Sequence, residues 1–198
     1  MKTAAVVLAA GASERMGGPN KLLMDLGGRS VLARTLNAVI SGPFDEVVVV
    51  TGRDADMVKT IALAAGARTV HNAAFSGGMG GSIAAGVGVL HAWNVVAIVP
   101  GDLPLLRTAT IEAVLEAAGP DRIARPVVEG QPGHPVVFGN RFGPELLVLR
   151  GDDGARPLLR RHAARVTLVG CDDLGAVSDA DTLAELHALQ RCLSSYER

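Results

Sequence analysis

Aromatic side chains are scarce in this chain. Phe, Trp and Tyr make up 3% of the 198 residues, so a core must come from Ala, Val, Leu and Ile within the 48% apolar fraction. Excess charge is also missing: 19 Lys and Arg stand against 20 Asp and Glu, a net charge of −1. That balance argues against an extended basic surface for nucleic acid or anionic membrane, while leaving local cationic pockets open. Cys171 and Cys192 are too few for a disulfide framework and too far apart for a Cys-x-x-Cys metal site, so reduced thiols are expected. No apolar run reaches the length that spans a bilayer. The start, Met1-Lys2-Thr3-Ala4, carries one cation before an apolar stretch that runs straight into Gly11, which is too short for a signal peptide. The expectation is a cytoplasmic protein with neither membrane nor nucleic acid as partner. Internal repeats, low-complexity tracts and linkers are absent too, which predicts one domain over residues 1–198.

What is present is an alternation. Apolar runs rich in β-branched residues predict strands at 4–8, 47–50, 69–71, 95–99, 123–128, 136–138 and 166–169. Between them, helices are predicted near 30–40, 55–65, 82–90, 110–117, 155–161 and 181–191. Ser30 is placed to cap the first helix, and Ser178 or Asp179 precedes the last. The early strands are apolar throughout, as expected when helices cover both sheet faces. This predicts an α/β fold with a doubly wound, mostly parallel sheet, Rossmann-like and three-layered. Ligands on such sheets bind beyond the carboxyl ends of the strands, where the strand order reverses. Three Gly- or Pro-rich segments, 11–21, 72–82 and 100–104, each follow a predicted strand and should meet on one rim. A fourth, 129–135, reads as a small β insertion, a hairpin or lip.

The first of these loops is the most informative. The run Leu8-Ala9-Ala10-Gly11-Ala12-Ser13-Glu14-Arg15-Met16-Gly17-Gly18-Pro19-Asn20-Lys21 follows a buried strand. Its glycines let backbone N–H groups turn toward a phosphate, and Arg15 and Lys21 add two cations. Polyanion binding follows, with a nucleoside triphosphate as the natural polyanion. A solvated glycine turn that binds nothing is the plain alternative. The dinucleotide fingerprint Gly-x-Gly-x-x-Gly is not met, because Ser13 and Met16 stand in its path, and no Gly-Lys-Ser/Thr is present for a Walker A loop. After the strand 95–99, Gly101-Asp102-Leu103-Pro104 offers a carboxylate suited to Mg²⁺, unless Asp102 merely serves a proline turn. Asp179 and Asp181, spaced i, i+2, can present carboxylates to the same metal, or simply cap and charge a helix start. In 75–82, four glycines precede Ser82. A base and ribose can lie on the backbone of Gly80 and Gly81, with Ser82 bonding base or sugar while capping the helix. A flexible linker is the alternative there.

The pattern Leu-Ala-Ala-Gly-x-Ser-x-Arg-Met-Gly…Lys resembles the signature of the molybdopterin-type (MobA-like) nucleotidyltransferases, a branch of the nucleotide-diphospho-sugar-transferase-like superfamily. Gly-Asp-x-Pro at 101–104 and Asp179-Ala180-Asp181-Thr182 resemble the same family's metal-binding elements, although Leu183 and Ala184 replace the usual Pro and Glu. Gly133-His134-Pro135 and Gly151-Asp152-Asp153-Gly154-Ala155-Arg156 resemble stretches of its cytidylyl branch. The resemblance implies a nucleotidyltransferase domain over 1–198, with Arg15, Lys21 and Asp102 as catalytic residues. It implies Leu8, Ala9, Ala10, Gly11, Ser13, Gly80, Gly81 and Ser82 at the nucleotide, His134 and Arg156 at the acceptor, and Mg²⁺ on Asp102 and Asp181 with Asp179 behind. His134 bracing a turn, and Arg156 pairing with Asp152 or Asp153, are the structural alternatives. Ala10, where guanylyl-transferring relatives tend to carry Gly, favours CTP. The acceptor implied is a phosphate-bearing pterin, the molybdenum cofactor, with transient contact to a molybdenum hydroxylase. Guanylyl transfer, a sugar- or polyol-phosphate acceptor, an NAD(P)H-dependent oxidoreductase with Arg53 near a 2′-phosphate, and a cofactor-delivering chaperone remain open.

Overall fold

The computed structural model describes residues 1–11 and 20–178. The helix predicted at 181–191 therefore lies outside the described residues. Eight strands form one mixed sheet: β1 (Thr3–Ala9), β2 (Glu46–Thr51), β3 (Arg68–His71), β4 (Val95–Pro100), β5 (Ile123–Val128), β6 (Gln131–Pro132), β7 (Val136–Gly139) and β8 (Val166–Gly170). The order runs β3-β2-β1-β4-β7-β5-β6, and β8 pairs with β5. Strands β1 to β4 are mutually parallel, and β8 runs parallel to β5. Among the described strands only β7, between β4 and β5, and the short β6 run antiparallel to their neighbours. The expected mostly parallel sheet is present.

Among the described residues six helices complete the layers: α1 (Val31–Ile40), α2 (Ala55–Ala64), α3 (Met79–Gly88), α4 (Thr108–Glu116), α5 (Gly143–Leu147) and α6 (Arg156–Arg161). The pleat of β1 assigns them to faces, because successive side chains point to opposite sides. Ala5, Val7 and Ala9 join a core with Leu32 and Leu36 of α1, Val58 of α2, and Ile111 and Val114 of α4. Ala4 and Val6 join another with Ile83 and Val87 of α3, Leu146 of α5 and Leu158 of α6. Both faces of β1 are thus covered, which is why its sequence shows no polar alternation. Ser30 caps α1 as expected, its Oγ accepting from the Ala33 N–H at 3.2 Å.

The insertion at 129–135 is a hairpin followed by a return strand. Glu129 (φ 50°) and Gly130 (φ 84°) both adopt positive φ between β5 and β6, as a tight two-residue hairpin turn requires. The chain then crosses Gly133-His134-Pro135, with a cis His134–Pro135 bond, and returns as β7. That return carries His134 back toward the carboxyl end of β4, since Val136 pairs with Ile98.

Candidate active site

Strand order reverses between β1 and β4, and the site is built at their carboxyl ends. Leu8 pairs with Pro100, and one residue on the Gly101 N–H donates to Leu8 O at 2.9 Å. A Cβ on Gly101 would lie 2.9 Å from that same oxygen, so the close approach needs glycine. Thr35 of α1, fully buried, holds the turn from below: its Oγ1 lies 3.0 Å from Gly101 O and 3.2 Å from Val31 O. Asp102 emerges from this turn, and the Lys21 ammonium meets its Oδ2 at 2.6 Å, with both side chains about five-sixths buried (16% and 15% exposed). Residues 81 positions apart in sequence are thereby one ion pair. A carboxylate is an oxygen donor of the kind a divalent cation takes together with phosphate oxygens, and here the Lys21 ammonium occupies it. Among the described residues no cluster of three His, Cys, Asp or Glu forms a metal cage. The described carboxylates there supply only part of a coordination shell.

Ala9 and Ala10 are buried where β1 ends, and Gly11 stands exposed in open space. The Arg53 N–H, after β2, reaches Ala10 O at 3.5 Å, and a Cβ on Gly52 would lie 2.5 Å from that oxygen. The second loop therefore packs directly on the first. In the third, Asn72 holds Ser82: its Nδ2 donates to Ser82 Oγ at 3.0 Å, and its Oδ1 accepts from the Ala74 N–H at 3.1 Å. Ser82 does not cap α3, contrary to expectation. The helix starts one turn earlier, at Met79, because Gly78 at φ 100° turns the chain there. The Gly80 N–H is bonded within the protein to Gly151 O at 2.8 Å, whereas Gly81 has room beside Asn72. Ser13, Arg15, Asp179 and Asp181 lie outside the described residues.

His134 sits in a cationic neighbourhood. Its N–H donates to Ala176 O at 2.8 Å, and its ring Nδ1 is buried without a hydrogen-bond partner. Burial lowers its pKa to about 4, aided by Arg125 and Arg156 and opposed by Asp102, so the ring is neutral near pH 7. Arg125, Asp102 and Arg156 are thus within electrostatic reach of the ring. Arg125 of β5 donates from Nε and Nη2 to Gly133 O at 3.2 and 2.9 Å, bracing this turn. Desolvation, followed by repulsion from Arg156, lowers the Arg125 pKa below the usual guanidinium range. Arg156 opens α6 and is exposed; among the described residues no ion pair joins it to Asp152 or Asp153.

Sequence reasoning missed Thr35, Asn72, Arg125 and the buried Asp173, whose carboxylate accepts from the Arg107 N–H at 2.9 Å. Arg125 had a signal, a lone charge inside the apolar run Ile123-Ala124-Arg125-Pro126-Val127-Val128. The other three are small polar residues that each have one partner at least ten positions away, and no local pattern marks that contact.

The family described as the MobA-like NTP transferase domain matches residues 5–187. Nicotine blue oxidoreductase of Paenarthrobacter nicotinovorans is 32% identical to this chain over 93% of it and 94% of that protein. Among solved structures, a nucleotidyl transferase from Methanothermobacter superposes with a TM-score of 0.87 at 23% identity, covering 98% of this chain and 99% of that one. A manganese complex of Rv0371c from Mycobacterium tuberculosis H37Rv superposes with a TM-score of 0.81 at 23% identity, covering 96% and 99%.

Proposed function

Since this chain belongs to the MobA-like NTP transferase domain family, we propose that it is a nucleotidyltransferase that moves a nucleoside monophosphate, CMP in preference, from its triphosphate to a phosphate-bearing acceptor. The observation that carries this reading is the Lys21–Asp102 pair at the strand switch point. The whole chain, 1–198, is taken as the nucleotidyltransferase domain. In the reaction an acceptor phosphate oxygen attacks the α-phosphorus, a new P–O–P linkage forms, and the α–β bridging P–O bond breaks to release pyrophosphate. The attacking phosphate is already anionic near neutral pH, so the barrier is the meeting of two polyanions rather than removal of a proton. Lys21 and Arg15 offset that repulsion, Lys21 at the α-phosphate or acceptor phosphate and Arg15 with its planar fork at the β- and γ-phosphates. Asp102, with Asp181 or Asp179, would hold Mg²⁺, which when bound supplies charge neutralisation between triphosphate and acceptor.

Leu8, Ala9, Ala10, Gly11 and Ser13 line the base and phosphates, with Gly81 and Ser82 opposite. Asn72 holds the Ser82 hydroxyl in one orientation. The Ala10 methyl narrows the space for a base and favours cytosine over a purine. His134, kept neutral, and Arg156 face the acceptor, a phosphate-bearing pterin by family resemblance. Neutrality suits a hydrogen-bonding ring better than a second charge beside Arg156 would.

The test is incubation of the purified protein with each triphosphate, Mg²⁺ and molybdopterin, reading pyrophosphate release. CTP is expected to turn over faster than GTP. Lys21→Ala and Asp102→Ala are each expected to cut release by about 10²-fold or more with the fold retained. Near-parental release from folded Asp102→Ala protein would remove Asp102 from the metal. A second reading is favoured by the oxidoreductase relative: NAD(P)H-dependent reduction, with Arg53 beside the Gly11 loop. NADPH consumption with nicotine blue as acceptor, in the absence of any triphosphate turnover, would establish that reading instead.

A further inference from the structure

Asp173 is fully buried, and the proposed reaction gives it no task, yet its carboxylate is the meeting point of three segments. Oδ2 accepts from the Arg107 N–H at 2.9 Å and from Thr110 Oγ1 at 2.7 Å. These groups open α4, whose own N-cap, Arg107, makes no side-chain cap. An Asp from 66 positions away thus satisfies a helix start that local sequence leaves bare. Oδ1 accepts from the Gly175 N–H at 3.0 Å and curls the chain into the short 3₁₀ turn Leu174–Ala176. The Arg107 Nε, 4.0 Å from Oδ1, brings a compensating charge.

That turn is wedged between two loops of the site. On one side, a Cβ on Gly175 would lie 2.1 Å from Leu105 O, in the segment that runs from Asp102 to α4. On the other, Ala176 O accepts from the His134 N–H at 2.8 Å, and a Cβ on Gly133 would lie 2.5 Å from the same oxygen. No side chain separates these backbones, so any movement of the turn is passed to both loops.

We infer that Asp173 is a positioning residue that fixes the Asp102 loop against the His134 loop, and with them the triphosphate against the acceptor. The functional part of this inference rests on the nucleotidyl-transfer reading; the mechanical part does not. Two other buried contacts, Thr35 to Gly101 O and Asn72 to Ser82, each serve one loop only, whereas Asp173 couples two.

The test is Asp173→Asn, with Thr110→Val as a milder variant that keeps the carboxylate and removes only one of its bonds. Backbone hydrogen exchange is read first. Faster exchange is expected at Arg107, Gly175 and His134 together, with Ala5 to Val7 of β1 unchanged. Faster exchange at Arg107 alone would reduce Asp173 to a cap for α4 and overturn the inference. In the turnover assay, kcat for Asp173→Asn is expected to fall about 10²-fold with the KM for CTP little changed, since misplacement of about 1 Å costs that much. Thr110→Val should fall less, in the same direction. Parental kcat in folded Asp173→Asn, or a deficit that matches the unfolded fraction, would also overturn it. If the parental protein releases no pyrophosphate from any triphosphate, the nucleotidyl-transfer reading fails, and hydrogen exchange still decides whether Asp173 couples the loops.

Discussion

At the residue scale, the site works by pairing charges that would otherwise be costly. Lys21 and Asp102 neutralise each other where both side chains are largely buried, and under the nucleotidyl-transfer reading each would exchange this partner for a phosphate or a metal. His134 is handled differently: no carboxylate bonds it among the described residues, and burial keeps it neutral. This has a consequence for stability. The native ring protonates only near pH 4, while in the unfolded chain it protonates near its ordinary value of 6.5. The unfolded state therefore takes up the proton first, and stability is lost as pH falls through the interval from 6.5 to about 4. Between about pH 7 and pH 5 the His134 contribution to that loss is about 2 kcal/mol. Urea unfolding of the parental chain and of His134→Gln at the two pH values checks it. The parental chain should lose the extra increment, and the same slope in both proteins would remove His134 as its source.

At the scale of elements, helices dock on β1 and β2 closely enough that single methyl groups matter. Gly86 of α3 lies where a Cβ would approach Val6 Cγ1 to 2.3 Å and Val50 Cγ2 to 2.8 Å. In an exposed helix interior Gly→Ala stabilises by about 1 kcal/mol. Here overpacking of about 1–3 kcal/mol opposes it, so Gly86→Ala is expected to be destabilising overall. A fall in the urea midpoint checks this, and a rise would show that α3 can slide outward freely. The same helix explains a misreading of its start. The run after Ser82 has helical periodicity, but Gly78 at positive φ opens the helix at Met79, and that angle has no sequence signature beyond one glycine among several. The short helix α5 was not predicted either: five residues, Gly143–Leu147, are too few for periodicity to register.

At the scale of the whole molecule, the fold rests on an apolar three-layer core, with the Lys21–Asp102 pair at the rim where β1 and β4 end. The two cores flanking the sheet contain Ala, Val, Leu, Ile and Phe and no metal-ligating cluster among the described residues. Removing divalent cations with a chelator is therefore expected to stop pyrophosphate release while leaving the thermal unfolding midpoint unchanged. A large drop in that midpoint would mean that the metal belongs to the architecture rather than to the chemistry. No helix among the described residues is long and apolar enough to cross a membrane. With a net charge of −1, any attraction of a triphosphate must come from local cations rather than from the global field, and the proposed function assigns that task to Lys21 and Arg15.

The sequence by itself determined the layer architecture, the strands within a residue or so at each end, and the loops that meet at β1 and β4. It did so because a strand covered on both faces must be apolar throughout, and because Gly- and Pro-rich segments mark where strands end. Tertiary structure alone decided that β7 returns antiparallel between β4 and β5, and that Lys21 meets Asp102. It alone brought Thr35, Asn72, Arg125 and Asp173 to hold the rim. Hydrophobic pattern is a local property, read within a few residues, whereas a buried polar group is satisfied by whichever partner folding brings near, and neighbouring residues do not encode that partner.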